Sequence, residues 1–206
     1  MLTLYSQQDS GNCYKPRLLF AHLGRPFRLV DVNAMDGSTR RSDFLALNPI
    51  GKVPLIEFED GRRLAESNAM LLHFAEDTRF LPGDAFERAK AYEWLFFEQY
   101  SHEPAIAVRR SLLVYPERAK DAEPRRMEAL LHAGHRALKV MEGRLADTEW
   151  LAGDAFSVAD IALYAYTHMA DTGGYDLAFY PGVTAWLARV AALPGHVGID
   201  WRPEAA

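Results

Sequence analysis

Hydrophobic and polar positions follow two different patterns along the chain, and the pattern changes near residue 80. Before that point, short apolar runs typical of strands alternate with helix-like repeats. Four strands are predicted in this part, over residues 2–5, 27–32, 53–58 and 62–65. Three helices accompany them, beginning near residues 12–14, 43 and 68. The resulting order, β-α-β-α-β-β-α, pairs the first two strands in parallel and adds the last two as an antiparallel hairpin.

Proline and glycine mark where the first elements turn or end. Pro16 lacks an N–H group and is therefore expected in the first turn of the first helix. Gly24 supplies the stop for that helix. Between the last two strands, Glu59-Asp60-Gly61 is typical of a hairpin turn.

After residue 80 helical repeats dominate, and no strand is predicted. Helices are predicted over residues 86–115, 125–146, 157–168 and 181–192. Pro104 is where the first of these would bend. Ser157-Val158-Ala159-Asp160 resembles a capping box, with Asp in place of the usual Glu or Gln. The predicted domains are residues 1–79 and residues 85–206, joined by a linker over residues 80–84.

The composition is that of a folded globular protein, since 49% of the residues are hydrophobic and 25% are charged. Cys13 is the one cysteine of the sequence. A single cysteine excludes an internal disulfide, a Cys-x-x-Cys redox pair and a zinc site made of several thiolates. A reducing compartment is therefore expected.

The net charge and the length of the apolar runs argue against two classes of partner, nucleic acids and membranes. A formal net charge of -5 argues against a nucleic-acid surface, which needs a basic stripe. The first residues lack a basic stretch followed by an apolar run, so no signal peptide is predicted. No run approaches the roughly 18 apolar residues of a membrane span. We therefore expect a cytoplasmic protein without nucleic-acid or membrane partners.

Four motifs lie in a fixed order along nearly the whole chain. Ser10-Gly11-Asn12-Cys13 opens a helix directly after the first strand. Asn48-Pro49-Ile50-Gly51-Lys52-Val53-Pro54-Leu55 leads into the third strand, Glu66-Ser67-Asn68-Ala69 opens the next helix, and residues 150–160 read WLAGDAFSVAD. Together these motifs resemble those of the cytosolic glutathione S-transferase family. The stretch from Ser10 to Lys15, together with Phe96-Phe97-Glu98-Gln99-Tyr100, most resembles bacterial members with a serine/asparagine-type active site.

The resemblance implies an α/β, thioredoxin-like N-terminal domain that binds glutathione, followed by an all-α domain with a pocket for a second substrate. Redox members of the thioredoxin-like fold carry Cys-x-x-Cys at the start of the first helix, and here Ser10 stands at the first cysteine position. The resemblance further implies glutathione as co-substrate, a small hydrophobic electrophile as its partner in the reaction, no metal, and a homodimer.

Thiol activation is the chemistry predicted at the first motif. Glutathione brings a thiol with a pKa of about 8.5, so the protein has to stabilise its thiolate. A hydroxyl donor at a helix N-terminus favours the anion over the thiol. One such bond is worth about 1.5–3 kcal/mol, or roughly 1–2 pKa units. Ser10 is the predicted donor and the Asn12 amide the second candidate; the alternative is a helix cap at Ser10 and a turn residue at Asn12.

The second motif is expected to bind the glycine end of glutathione. In the family the proline that matches Pro54 is cis, which leaves the backbone of Val53 to pair with the peptide of glutathione. The alternative is a trans proline at a strand start. Lys52 would meet the glycine carboxylate, with Arg40 and Arg41 as looser candidates; the alternative for Lys52 is a solvated side chain.

The third motif is expected to bind the γ-glutamyl end. Ser67 at a helix N-terminus can offer its hydroxyl and its N–H to a carboxylate, and Glu66 would face the amino group. The alternative is a plain helix cap. Cys13, which a helix N-terminus would activate, is instead expected to be a small buried side chain, with a mixed disulfide with glutathione as the other interpretation.

The second substrate is expected against the long helix, between the two domains. Polar or amphipathic candidates there are Tyr100, His102, Arg109 and Tyr166. Tyr100 falls where some bacterial relatives carry a histidine, so a pocket built that way is in doubt. His132 and His135 share a helix face without accompanying carboxylates, which indicates a solvated face and not a metal site.

Three functions remain open from the sequence. The first is a glutathione transferase that conjugates glutathione to small hydrophobic electrophiles. The second is a glutathione-dependent disulfide or peroxide reductase, which would use the same glutathione site. The third is a non-catalytic interaction protein with this fold, and the presence of Ser10, Lys52, Pro54, Glu66 and Ser67 counts against it.

Overall fold

A computed structural model describes residues 1–203, which form two compact units. The first contains Met1–Phe74 and, from Pro194 onward, the described end of the chain; the second is Ala75–Leu193. The sequence placed everything from residue 85 in the helical domain, and for residues 194–203 that was wrong. Side chains of the first unit donate hydrogen bonds to backbone carbonyls of this segment, which accounts for its place there.

The first unit is built on a four-stranded sheet. Its strands are β1 (Thr3–Ser6), β2 (Arg28–Asp31), β3 (Leu55–Glu57) and β4 (Arg63–Ala65), in the order β2-β1-β3-β4. β1 pairs in parallel with β2, and the β1–β3 and β3–β4 pairs are antiparallel. The parallel βαβ unit and the antiparallel hairpin predicted from the sequence are both confirmed; β1 is shifted by one residue, and the other three strands are one to three residues shorter than predicted.

Three helices complete the first unit: α1 (Gly11–Leu23), α2 (Ser42–Leu47) and α3 (Ser67–Ala75), with a 3-10 turn at Ser38–Arg40 before α2. Apolar side chains from β1, β3, α1 and α3 are fully buried and form its core: Leu4, Leu18, Leu19, Ile56, Met70 and Leu71. Burial of each such side chain is worth about 1.5–3 kcal/mol, which anchors α1 and α3 against the sheet.

Helix α1 differs from its prediction at Pro16. The helix begins at Gly11, so Pro16 is its sixth residue and lies in the second turn, not the first. Proline there gives up one backbone hydrogen bond. The surrounding turns of α1 are buried, and the free energy gained by packing them outweighs the low helix propensity of proline. Gly24 ends the helix as predicted, with φ +59 and its N–H donating to Ala21 O.

The second unit is helical. Its helices are α4 (Ala85–Phe97), α5 (Glu103–Val114), α6 (Pro124–Leu145), α7 (Val158–Thr167) and α8 (Pro181–Ala191). Short 3-10 turns lie at Pro116–Asp121, Ala170–Gly173 and Leu177–Phe179. Among residues 1–203, no helix combines the length and the apolar character needed to cross a membrane.

The single long helix predicted over residues 86–115 is interrupted. A π-helical stretch, Glu98–His102, separates α4 from α5 and ends just before Pro104, the second residue of α5. Pro104 has no N–H group for the regular helical pattern, and a change of register just ahead of it accommodates that loss. The interruption therefore lies about one turn before Pro104, the residue at which the sequence predicted a bend.

The capping box predicted at the start of α7 is confirmed. Ser157 Oγ accepts from Ala159 N–H, and Asp160 accepts from Ser157 N–H at 2.9 Å. The same carboxylate also accepts from Leu151 N–H and Trp186 Nε1, so it ties α7 to the preceding loop and to α8. Burial raises the pKa of Asp160 to about 6, against these hydrogen bonds, which lower it.

Candidate active site

Ser10 lies at the end of the loop between β1 and α1. Its backbone is extended, and its hydroxyl caps α1 by accepting from Cys13 N–H at 3.4 Å. Its carbonyl accepts from Tyr14 N–H at 2.9 Å. The predicted cap is therefore present. It does not exclude the catalytic role, because a hydroxyl that accepts through a lone pair keeps its own hydrogen for a second partner.

Cys13 is fully buried behind this loop. Its sulfur accepts from Gln7 N–H at 3.3 Å, and burial raises the pKa of its thiol. A thiol that ionises less readily and has no surface is a poor nucleophile. The expectation of a small buried side chain is confirmed.

The start of α3 meets the start of α1. Ser67, which is 5% exposed, donates from Oγ to Asn12 Oδ1 at 3.1 Å. Two predicted site residues from separate motifs are thus in direct contact. Glu66, the residue before Ser67, is exposed and has φ +68. This left-handed backbone conformation is costly for residues other than glycine. Such strain is concentrated at functional positions in proteins.

Lys15 joins the same cluster, although the sequence did not identify it as a site residue. The side chain is 0% exposed, and its Nζ donates to Ser67 Oγ at 3.3 Å and to Asn68 Oδ1 at 3.1 Å. A charged residue among the apolar positions of α1 was the available signal, since each neighbour from Cys13 to Phe20 is buried. A buried ammonium group is costly unless it is hydrogen-bonded, so its presence here indicates a use for the charge.

The loop before β3 carries the second motif. Asn48 is buried and holds the loop at both ends, because Ile50 N–H donates to its Oδ1 and its Nδ2 donates to the carbonyl of Lys52. Gly51 has φ +64, and a Cβ there would lie 2.9 Å from the carbonyl of Thr39. The side chain of Lys52 is exposed, and the predicted cis bond between Val53 and Pro54 is confirmed.

The two looser candidates for the glycine carboxylate have structural roles. Arg40 donates from Nη1 to the carbonyl of Ile50 at 3.0 Å, so it supports the loop that carries Lys52. Arg41 stands at the N-cap position of α2. Lys52 is therefore the candidate whose charge remains directed to solvent.

Together these groups form a site suited to a small anion. Two helix N-termini meet where Ser67 contacts Asn12, and the buried charge of Lys15 stands behind them. Helix N-termini and ammonium groups both stabilise negative charge. The exposed Glu66 adds a carboxylate at the rim, so a ligand that carries both a carboxylate and an amino group would find a partner for each.

The predicted second-substrate residues do not gather at one place in the helical unit. Tyr100 is 88% exposed and lines an open cavity of about 320 Å³ between α5 and α6. His102 is buried and hydrogen-bonded to Thr167 Oγ1 at 2.9 Å. Arg109 donates to the carbonyl of Met127 at 3.2 Å. Tyr166 is buried in α7.

The comparisons with known protein families cover both units. The family model described as the glutathione S-transferase N-terminal domain matches residues 9–77, and the model for the C-terminal domain matches residues 96–194. The chain belongs to the glutathione S-transferase family. The expected fold class, a thioredoxin-like domain followed by a helical domain, is confirmed by these matches and by the four-stranded sheet.

Individual relatives support the same family. A glutathione S-transferase structure from Pseudomonas fluorescens Pf-5 is 45% identical, with a TM-score of 0.93 over 96% of this chain and 98% of that one. The disulfide-bond oxidoreductase YfcG of Escherichia coli is 30% identical over 94% of this chain and 92% of its own. A glutathione transferase from Burkholderia graminis, solved with two glutathione molecules per subunit, is 26% identical over 94% and 85%, with a TM-score of 0.80.

The histidine pair singled out in the sequence has no metal-site partners. His135 hydrogen-bonds through Nδ1 to Tyr180 OH at 2.7 Å, and His132 lies 3.8 Å from Glu128 on the surface of α6. Within residues 1–203, no group of three or more His, Cys, Asp or Glu side chains is arranged to hold a metal ion.

Proposed function

We propose that this protein is a glutathione transferase that binds glutathione in its first unit and attacks small hydrophobic electrophiles with the bound thiolate. The observation that carries the proposal is the contact of Asn12 with Ser67, backed by Lys15. This contact joins the motif for the thiol to the motif for the γ-glutamyl group. An interaction protein that had lost its ligand would have no need of a buried lysine at this point.

The thiol is activated by Ser10. Its hydroxyl donates to the glutathione sulfur while its lone pair still caps α1, and the positive end of the helix adds to the stabilisation. A hydrogen bond to the charged sulfur contributes about 1.5–3 kcal/mol, which lowers the thiol pKa by roughly 1–2 units. Asn12 is the second donor candidate through its Nδ2 group, and its Oδ1 accepts from Ser67.

The rest of glutathione is held at its two ends. Ser67 and the start of α3 bind the γ-glutamyl carboxylate with the support of Lys15, and Glu66 faces the amino group. Lys52 meets the glycine carboxylate at the other end, and the backbone of Val53, next to Pro54, pairs with the peptide of glutathione.

A glutathione-dependent disulfide reductase is the second candidate. It is favoured by the likeness to the Escherichia coli disulfide-bond oxidoreductase and by the two glutathione molecules per subunit in the Burkholderia structure. One glutathione thiolate would attack a disulfide and displace one thiolate, leaving a mixed disulfide. A second would then attack that mixed disulfide, release the other thiol and leave oxidised glutathione, so two electrons pass to the substrate.

Two assays and one binding experiment separate the functions. Retention on glutathione resin, with elution by free glutathione, is expected; a protein that flows through would contradict both enzyme functions and favour the interaction protein. With chloro-dinitrobenzene, the transferase forms a carbon–sulfur bond and releases chloride. With hydroxyethyl disulfide, the reductase forms oxidised glutathione. The higher kcat/KM of the two identifies the main activity.

A further inference from the structure

Residues 194–203 return to the first unit and contact the loop that carries Ser10. Gln8, two positions before Ser10, donates from Nε2 to the carbonyls of Ile199 at 2.9 Å and Trp201 at 3.2 Å. Ile199 and Trp201 are therefore bonded to the loop itself.

Arg17 makes a second connection between the same two segments. It is 0% exposed, and its guanidinium donates to the carbonyls of Gln8 at 2.5 Å, Trp201 at 3.3 Å and Cys13 at 3.3 Å. Its planar group holds several donors in a fixed arrangement. One rigid side chain thus sets the spacing between the loop, the first turn of α1 and residues 194–203.

Two further contacts fix residues 194–203 on either side of these bonds. Tyr14 OH donates to the carbonyl of Val197 at 2.5 Å from within α1. Arg202 makes a paired contact with Asp31 at the end of β2, with both distances 2.9 Å. The segment is held at both ends, so its carbonyls are fixed acceptors for Gln8 and Arg17.

We propose that residues 194–203 are a positioning element for Ser10, acting through Gln8 and Arg17. This inference rests on the proposed function, in which the Ser10 hydroxyl donates to the glutathione thiolate. The strength of a hydrogen bond falls steeply with distance and angle, so a small shift of the loop weakens thiolate stabilisation without removing the hydroxyl. The end of the chain, outside the motifs of the glutathione site, thereby sets the pKa of the bound thiol.

Two single substitutions test the proposal in the full chain. Gln8→Met keeps the length and the neutral charge of the side chain but removes both donations. Tyr14→Phe removes the hydroxyl that anchors Val197 and leaves the loop untouched. Tyr180→Phe is the matched control, because it removes a buried tyrosine hydroxyl that bonds to His135 in the helical unit. Hydrogen exchange at residues 197–201 reports whether the segment is released.

In Gln8→Met and Tyr14→Phe we expect faster exchange at residues 197–201 and a rise of about half a unit in the pKa of the bound glutathione thiol. Below that pKa, kcat falls by roughly threefold while KM for glutathione stays within about twofold. Tyr180→Phe leaves all of these values at those of the wild type. Faster exchange with an unchanged thiol pKa would overturn the proposal, since the segment would then be only structural; unchanged exchange would overturn it too, since these bonds would not hold the segment.

A double-mutant cycle separates this inference from the proposed function. In a Ser10→Ala background, Gln8→Met is expected to cause no further change in the thiol pKa, because the hydroxyl that it positions is gone. An additive change would contradict action through Ser10. If Ser10→Ala alone leaves the thiol pKa unchanged, Ser10 is not the thiol donor that the proposed function assigns, whatever the Gln8 variant does.

Discussion

Ser67 takes part in two hydrogen bonds with opposite directions. Its hydroxyl donates to Asn12 Oδ1 and accepts from Lys15 Nζ, so its orientation is fixed before any ligand arrives. The single hydrogen of this hydroxyl is donated to Asn12, so a bound carboxylate would accept it in place of Asn12 Oδ1. The N–H groups at the start of α3 add donors in the same place.

Ser67→Ala should therefore weaken glutathione binding before it affects the chemistry. Loss of one hydrogen bond to a charged group costs about 1.5–3 kcal/mol, or about ten- to a hundredfold in Kd, with little change in the pKa of the bound thiol. Titration calorimetry gives the affinity, and Ser111→Ala in the helical unit is the control. Wild-type affinity would remove Ser67 from the γ-glutamyl site.

Lys15→Met tests the buried charge. We expect about a tenfold loss of affinity for glutathione and a weaker dependence of that affinity on ionic strength, because a cation behind the carboxylate is gone. Lys139→Met, on the exposed face of α6, removes the same charge elsewhere and is the control. Equal salt dependence in the wild type and Lys15→Met would show that the Lys15 charge does not reach the ligand.

The sequence predicted Asn12 and Ser67 as site residues but not the contact of Ser67 with Lys15. Ser10, Asn12 and Ser67 belong to motifs whose residue types suggest hydrogen bonding. A lysine within a helix usually extends to solvent, and only the packing of α1 shows that Lys15 is buried. The left-handed backbone of Glu66 was likewise beyond the sequence, since that residue type does not favour it.

At the scale of elements, α7 shows how a cap organises its neighbours. Asp160 accepts from the N–H groups of Ser157 and Leu151 and from Trp186 Nε1, so one carboxylate links the cap, the preceding loop and α8. These donors are buried and would be costly to leave unpaired. The capping-box pattern predicted the first of these bonds; the other two depend on packing that a local motif does not encode.

Asp160→Asn is expected to destabilise the protein by about 2–4 kcal/mol. The amide fits the space, but its NH2 group cannot accept from the donors that both carboxylate oxygens now serve. Urea unfolding measures the change, and Asp154→Asn at an exposed position is the control. A loss below about 0.5 kcal/mol would mean that the network contributes little.

The same carboxylate predicts a pH dependence with a definite sign. The folded-state pKa of about 6 lies above the ordinary value of 3.8, so the folded state binds the proton more tightly. The contribution to stability is full below the ordinary value and is lost as the pH rises through about 6. Over this window the wild type should lose up to about 3 kcal/mol relative to Asp160→Asn, which lacks this titration. The opposite slope would mean that the hydrogen bonds outweigh burial.

At the scale of the molecule, large apolar side chains remain exposed on the helical unit. Phe86, Phe96 and Tyr100, on α4 and the π-helical stretch, are each at least 70% exposed. Exposed apolar groups of this size are typical of protein interfaces. A homodimer is typical of the family, and we expect sedimentation at about twice the 23.2 kDa chain mass. A 23.2 kDa species at micromolar concentration would contradict this prediction.

The order of strands and helices could be predicted apart from the break at Glu98–His102 and the short 3-10 turns, but the course of residues 194–203 could not. The periodicities of 2 and 3.6 residues distinguish strands from helices in both units. Residues 194–203 have no such periodicity. Their position depends instead on backbone carbonyls that accept hydrogen bonds from Gln8, Tyr14 and Arg17, near the other end of the sequence. Contacts of this kind depend on tertiary packing, and no local sequence pattern predicts them.

In the proposed function, Ser10 stabilises the thiolate of bound glutathione. The most direct measurement is the pH titration of thiolate absorbance in the glutathione complexes of the wild type, Ser10→Thr and Ser10→Ala. We predict a pKa about 1–2 units below that of free glutathione in the wild type and in Ser10→Thr, which keeps the hydroxyl. Ser10→Ala should return the pKa to near that of free glutathione at nearly unchanged affinity. A Ser10→Ala titration that superimposes on that of the wild type would show that the Ser10 hydroxyl does not stabilise the thiolate.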